Sequence, residues 1–158
     1  MKQTIFFSLM VVGAMFLSGC APLGETPEQM ITEAKALDQR FIAAYNNGDV
    51  DAVMATYWNS PDLVSYPPGA LEVRGWEAAK EGFAKEFSSM KGTLEFMEPN
   101  YRVAGDVVMG WGKWRFTMSD PPMEMMGRYT DVKAKRDGRW VYILDHASAP
   151  LPPASGTP

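Results

Sequence analysis

The sequence contains a single cysteine and a single histidine among its 158 residues. One cysteine cannot form an intrachain disulfide, so the stability of the folded chain has to come from packing. No run of basic residues occurs and the formal net charge is −4, which argues against nucleic acid as a partner. Aromatic residues are better represented, with five tryptophans and six tyrosines that can fill a core, line a pocket or cover a dimer face.

The cysteine, Cys20, ends the tetrapeptide Leu17-Ser18-Gly19-Cys20, which follows Lys2 and an apolar run from Ile5 to Leu17. The run is shorter than the roughly 20 residues that span a bilayer. A plain secretory signal remains an alternative, since Ala14 and other small residues lie nearby. A buried core helix fits poorly with the extreme N-terminal position and the single leading lysine.

The same segment resembles a bacterial lipoprotein signal peptide. The resemblance implies cleavage before Cys20 and acylation of that residue, and Ala21 in place of aspartate implies sorting to the periplasmic face of the outer membrane. Acyl chains contribute about 0.8 kcal/mol per buried methylene, so two or three chains hold a protein to a membrane.

We therefore expect a signal peptide at 1–19 and a short tether at 20–26. One domain follows at 27–148, and a disordered proline-rich tail at 149–158.

Three helices are predicted before the main strands. Thr26, Pro27 and Gln29 form a capping-box pattern for the first helix, which Asn46-Asn47-Gly48 ends. A second, shorter helix follows Asp49 and extends to about Trp58, and a third covers about 75–90.

A short strand is expected at 62–66, between the second and third helices, and four long antiparallel strands are expected after Gly92. Pro99 should bend the first long strand. The apolar parity changes at Gly112 in the second, which indicates a β-bulge there. Strands that follow helices predict an α+β fold, with helices on one face of an antiparallel sheet.

Several segments, in this order, resemble the SnoaL-like branch of the nuclear transport factor 2-like superfamily: Phe41–Asp49, Gly75–Ala79, Gly105–Val108, Gly127–Thr130, Asp137–Trp140 and Asp145–Ser148. The resemblance implies a curved sheet wrapped around helices into a cone with an internal apolar pocket. It also implies dimerisation through the outer face of the sheet. The superfamily includes isomerases, cyclases, dehydratases and non-catalytic proteins, so the fold does not decide the function.

Arg128 is a candidate ligand-binding residue. Met126, Arg128 and Thr130 share one strand face. The other face carries the charged residues Asp131 and Lys133, and we expect it to be partly exposed to solvent. This predicts that Arg128 points inward, either in an ion pair with Asp62, Glu72 or Asp145 or as an anchor for an anion or carbonyl group.

His146 and Asp62 are the candidate catalytic residues. His146 is the only side chain whose unperturbed pKa lies near neutrality, and it shares strand parity with Tyr142. Asp62 acts as a proton acceptor only if its surroundings are apolar, and a turn or cap role is the alternative. Asp145 should face away from His146, which argues against a dyad of the two.

Further ligand-binding candidates are aromatic: Tyr57, Trp58, Tyr66, Trp111, Trp114 and Tyr142. Met118, Met123, Met125 and Met126 cluster around Pro121-Pro122. Such a cluster is typical of an adaptable apolar rim, and thioethers also bind Cu(I).

The first hypothesis is a membrane-anchored protein, a homodimer without a cofactor or metal, that binds a small apolar molecule in the cone. An isomerase, cyclase or dehydratase with a His146 or Asp62 base is the second, and an envelope interaction module is the third. A pocket lined by convergent polar groups would favour the enzyme, an apolar pocket a binding protein, and a filled interior the interaction module.

The lipid anchor gives the first testable prediction. Cys20→Ser should remove the thiol that carries the lipid, so metabolic labelling with a radioactive fatty acid should mark the wild type and not the variant. Continued labelling of the variant would contradict the lipoprotein assignment.

Overall fold

A computed structural model describes residues 24–150. The predicted signal peptide, Cys20 and all but the first two residues of the predicted tail lie outside the described residues. No helix in the described range is long and apolar enough to cross a membrane.

Three helices precede the four long strands, as predicted: α1 (Pro27–Asn46), α2 (Val50–Met54) and α3 (Trp76–Ser89). The capping box at α1 is present, since the Thr26 hydroxyl accepts from the Gln29 N–H and the Gln29 side chain accepts from the Thr26 N–H. Met30, Ala34, Leu37 and Phe41 form the buried stripe of this helix.

The second helix is shorter than predicted, because the chain after α2 pairs with the sheet instead. The Thr56 carbonyl accepts from the Tyr142 N–H at 2.9 Å, and the Trp58 N–H donates to the Tyr142 carbonyl at 3.0 Å. These hydrogen bonds to an edge of the sheet replace those of a further helical turn.

Six strands form one sheet with the spatial order β2-β1-β6-β5-β4-β3. The strands are β1 (Val64–Tyr66), β2 (Val73–Arg74), β3 (Thr93–Ala104), β4 (Val107–Ser119), β5 (Pro122–Arg136) and β6 (Arg139–Ser148). The four long strands are antiparallel, as predicted, while β1 pairs in parallel with β6. The predicted α+β fold is confirmed, with one more short strand than expected.

A bulge is present opposite Gly112, but its extra residue lies in β3 and not in β4: Met97 faces Lys113 and Asn100 faces Trp111, which leaves Glu98 and Pro99 opposite Gly112. Strand β4 pairs with β5 without a shift from Val107 to Ser119, and the irregularity lies in β3 between Met97 and Asn100, next to Pro99. The apolar residues change face along β4 because Gly110 and Gly112 occupy the inner face in its first half.

A second shift lies in the pairing of β5 and β6, where Val132 faces Leu144 and Lys133 faces Tyr142. Ile143 is the extra residue in β6. The strand therefore changes parity at Ile143, and this decides which of its side chains face the helices.

The main core lies between the helices and the inner face of the sheet. It is rich in aromatic rings, and those of Phe41 and Phe96 stack at 5.9 Å. Tyr129 stacks on Phe96 at 4.3 Å. Much of the interior predicted as a pocket is thus filled by packed side chains.

Candidate ligand-binding site

A buried lysine lies at the centre of the polar part of the interior. Lys133, on the inner face of β5, is 0% exposed, and its Nζ lies 3.0 Å from Asp38 Oδ1 and 2.6 Å from Asp131 Oδ1. Both carboxylates are themselves buried. A buried charge is tolerated only when it is neutralised and hydrogen-bonded, and the two aspartates meet both conditions.

Two tyrosines complete the hydrogen bonding of Asp38. The hydroxyl of Tyr101, from β3, donates to Asp38 Oδ2 at 2.7 Å, and the hydroxyl of Tyr142, from β6, donates to Asp38 Oδ1. The Lys133 ammonium also lies over both rings, 5.3 Å and 5.1 Å from their centroids. Asp38 on α1 thus joins the helix layer to three strands.

Gly110 makes room for this cluster on the neighbouring strand. It pairs with Asp131 across β4 and β5, and a Cβ at this position would lie 2.7 Å from both Asp131 Oδ1 and Lys133 Nζ. Any larger residue would therefore displace the ion pair.

Two buried polar atoms beside the cluster have no hydrogen-bond partner among the described residues, Asp131 Oδ2 and the Tyr129 hydroxyl. Burial raises the pKa of Asp131 to about 7, although the Lys133 charge opposes this shift. Burial also raises the pKa of Tyr129. Unpaired polar atoms of this kind are uncommon in folded proteins and are frequent at functional sites.

A second hydrogen-bonded carboxylate, Asp145, lies on the neighbouring strand β6. The hydroxyl of Tyr57 donates to Asp145 Oδ2 at 2.8 Å, and Asp145 is the cross-strand partner of Asp131. Asp145 is half-buried, in contrast to Asp38 and Asp131. Burial raises the pKa of the Asp145 carboxyl, and the Tyr57 hydrogen bond opposes that shift.

Half-buried apolar side chains pack near this pair. The ring of Phe83, from α3, lies 5.8 Å from that of Tyr57. Val73, Trp76 and Ala147 also pack against the core cluster that contains Tyr57. The side chains around Tyr57 and Asp145 therefore combine apolar surface with one carboxylate, which is the composition of a small-molecule site.

Three of the predicted ligand-binding residues lie in the interior: Tyr57, Trp114 and Tyr142. Their polar atoms are already used, since the Trp114 Nε1 donates to the Arg128 carbonyl at 3.2 Å. Of the three, Tyr57 is the one that borders the half-buried Asp145.

The predicted inward orientation of Arg128 is wrong. Arg128 is exposed, while Tyr129, Asp131 and Lys133 face the helices. The charged face of β5 is the buried one because Lys133 forms ion pairs with Asp131 and Asp38 in the interior. None of the three expected partners, Asp62, Glu72 and Asp145, forms an ion pair with Arg128 in the described part of the chain.

The predicted catalytic residues lie outside the interior cluster. His146 is exposed on the outer face, where its Nδ1 lies 3.3 Å from the Thr130 hydroxyl. Because of the extra residue Ile143, His146 and Tyr142 lie on opposite faces of β6, so the prediction that they share a face is wrong. The prediction that Asp145 faces away from His146 is confirmed. Asp62 is exposed, and its N–H donates to the Ser60 hydroxyl in the turn before β1. A catalytic role for either residue stays a prediction.

The remaining aromatic candidates also lie away from the interior. Tyr66 is 36% exposed, with its ring 6.1 Å from that of His146, and both line a surface cavity of about 270 Å³. Trp111 is 37% exposed on the outer face, next to Arg102. Trp58 is half-buried under the Arg136 guanidinium.

Sequence patterns did not identify Asp38, Asp131 and Lys133 as a unit. A usable signal was present, because Asp38 lies four residues after Ala34 on the apolar stripe of α1. A charge on a buried helix face implies a buried countercharge, and Lys133 is a matching charge on a strand face with Tyr129.

The buried ion pair gives the second prediction. Lys133→Met should leave two buried carboxylates without their countercharge and lower the free energy of unfolding by about 3–5 kcal/mol. Lys135→Met on the same strand is the matched control, because Lys135 pairs with Glu25 at the surface and its loss should cost less than about 1 kcal/mol. Urea unfolding of both variants measures the difference, and equal losses would contradict the structural role of Lys133.

Comparisons with known proteins agree with this architecture. The family model described as SnoaL-like domain matches residues 34–152. A nuclear transport factor 2-like protein from Shewanella oneidensis is similar, with 26% identity and a TM-score of 0.67 over 75% of this chain and 98% of that chain. A second, from Pseudomonas putida, shares 23% identity and a TM-score of 0.69 over 77% of this chain and 87% of the other.

A nuclear transport factor 2-like superfamily protein from Salmonella enterica shares the fold, with 22% identity and a TM-score of 0.72 over 82% of this chain and 96% of the other. No match was found among curated proteins. Because the family model covers most of the chain and the predicted resemblance is confirmed, the protein belongs to the SnoaL-like domain family.

Proposed function

We propose that the domain binds a small, largely apolar ligand between α3 and the inner face of β6, with a polar group of the ligand hydrogen-bonded to Asp145. The observation that carries this proposal is the pair of Tyr57 and Asp145. The Tyr57 hydroxyl donates a hydrogen bond to Asp145 Oδ2 and so fixes the orientation of the carboxylate. The other oxygen, Oδ1, can then accept a hydrogen bond from a ligand.

The surroundings of Asp145 support an apolar ligand with one hydrogen-bond donor. Phe83, Trp76 and Ala147 are half-buried and provide apolar surface. Removal of such surface from water contributes roughly 25 cal/mol per Å², and the carboxylate adds orientation. Asp131 and Asp38 are more deeply buried than Asp145 and form ion pairs with Lys133, so Asp145 is the most open of these three carboxylates to a ligand.

Catalysis is the second candidate, and the raised pKa of Asp145 favours it. A half-buried carboxyl beside a tyrosine hydroxyl can exchange a proton with a bound substrate, as an isomerase, cyclase or dehydratase requires. Its base would be Asp145 and not His146 or Asp62, since both of those are exposed. The filled aromatic core supports the third candidate, an interaction module.

The ligand site gives the third prediction. With the chain from Ala21 to Pro158, equilibrium dialysis should show tighter binding of 2-naphthol than of naphthalene, because only the naphthol donates a hydrogen bond to Asp145. Asp145→Asn should weaken 2-naphthol binding about tenfold and leave naphthalene binding unchanged. Asp106→Asn, in the exposed turn between β3 and β4, is the control. Equal binding of the two probes to the wild type, or unchanged naphthol binding by Asp145→Asn, would contradict the site.

We also propose that the protein works as a homodimer at the envelope surface, anchored by lipid on Cys20. Support for the dimer comes from the outer face of the sheet, where Trp111, Tyr66 and Met126 are more than a third exposed. Met109, Val132 and Leu144 lie half-buried on the same face. Exposed apolar residues that adjoin one another are typical of a protein interface.

The dimer gives the fourth prediction. Trp111→Asp should place a charge in the interface and raise the dimer dissociation constant at least about 30-fold, which corresponds to about 2 kcal/mol. Leu71→Asp is the matched control, because Leu71 is 96% exposed in the loop before β2. Sedimentation velocity of the chain from Ala21 to Pro158 measures both. A monomeric wild type, or equal dissociation of the two variants, would contradict the proposed interface.

A further inference from the structure

Three methionines meet on the inner face of the hairpin formed by β4 and β5. We propose that the thioethers of Met118, Met123 and Met125 form a site for a soft monovalent cation, Cu(I). This site is separate from the one beside Asp145, and neither depends on the other.

The strand register places the three side chains together. Met118 and Met123 are direct cross-strand partners, and Met125 is the partner of Phe116, which puts it diagonally opposite Met118. Directly paired Cβ atoms are about 4.5–5.5 Å apart and diagonal ones about 7–8 Å. A methionine side chain has three rotatable bonds, so three sulfur atoms at these spacings can approach within about 4 Å of one another around one ion.

Burial confirms that this is the inner face. Met118 and Met125 are half-buried and pack against the core cluster that includes the buried rings of Trp114 and Phe116. Met123 is 36% exposed. The three side chains thus lie between the apolar core and the solvent, and the exposed Met123 gives an ion access to the site.

The ligand set selects the metal. Thioethers are soft ligands that favour Cu(I), whereas Mg²⁺, Ca²⁺ and Zn²⁺ need oxygen, nitrogen or thiolate ligands. Within residues 24–150, no group of three or more His, Cys, Asp or Glu side chains is arranged to hold a metal ion. The exposed carboxylate Asp120 lies in the turn of the same hairpin and adds a negative potential that favours a cation.

Met126 distinguishes a metal site from a merely methionine-rich segment. It adjoins Met125 in the sequence, but it pairs with Arg115 and lies on the outer face, where it is 44% exposed. An adaptable apolar rim would make little distinction between the methionines of the segment, whereas one bound ion requires the three on the inner face and not Met126.

The test uses Ag(I), a soft monovalent analogue of Cu(I) that is not oxidised in air. The full chain carrying Cys20→Ser removes the only thiol, and a chloride-free nitrate buffer with a neutral detergent keeps silver in solution. Isothermal titration calorimetry should show an Ag(I) site that Met118→Leu or Met123→Leu weakens at least tenfold, while Met126→Leu leaves it unchanged. Leucine conserves the side-chain volume, so these variants should remain folded.

A second measurement keeps the outcome clear if a variant loses stability. With ¹³C-labelled methionine methyl groups in the same protein, Ag(I) should shift the resonances of Met118, Met123 and Met125 and not that of Met126. Weakening by Met126→Leu equal to that by Met118→Leu, shifts shared equally by Met126, or the absence of any Ag(I) binding would overturn the proposal.

Discussion

The neutralisation of Lys133 inside the protein is the interaction on which the arrangement of the other layers depends. Its ammonium is fully buried, so Asp131 on the same strand and Asp38 on α1 have to remain within contact distance. Asp38 in turn holds the hydroxyls of Tyr101 and Tyr142. This one charge therefore fixes α1 over β3, β5 and β6, and the rest of the helical layer takes its position from α1.

The interior consists of two parts with different chemistry. Around Lys133 the polar groups are buried, and the lack of a side chain at Gly110 allows them to contact the backbone of β4. At β6 the carboxylate of Asp145 is held by Tyr57 but stays half-buried among apolar side chains. The enclosed part acts as structural support, and the more open part is where we propose that the ligand binds. A raised carboxyl pKa occurs in both because burial penalises charge in both.

Local signals were sufficient for the first and third helices and for the fold class. The capping box at Thr26 and the apolar stripe of α1 depend on neighbours in the sequence, so both were predicted correctly. The faces of β5 and β6 depend on distant residues. Lys133 can be buried only because Asp38, on a helix almost a hundred residues earlier, neutralises it, and the extra residue Ile143 turns His146 outward. Alternation along a single strand contains neither piece of information, so Arg128 and His146 were placed wrongly.

If Cys20 carries lipid, as proposed, the start of α1 would set the position of the domain relative to the membrane. Glu25 is tied to Lys135 at 2.9 Å, only five residues after Cys20. With lipid on Cys20, as proposed, five extended residues reach at most about 18 Å, so the turn between β5 and β6, with Arg136 and Arg139, faces the lipid headgroups. The other end of strand β5, at Pro122, would then lie roughly 45 Å from that surface. The methionines of the β4–β5 hairpin would therefore stand at the end of the domain farthest from the bilayer, facing the aqueous compartment.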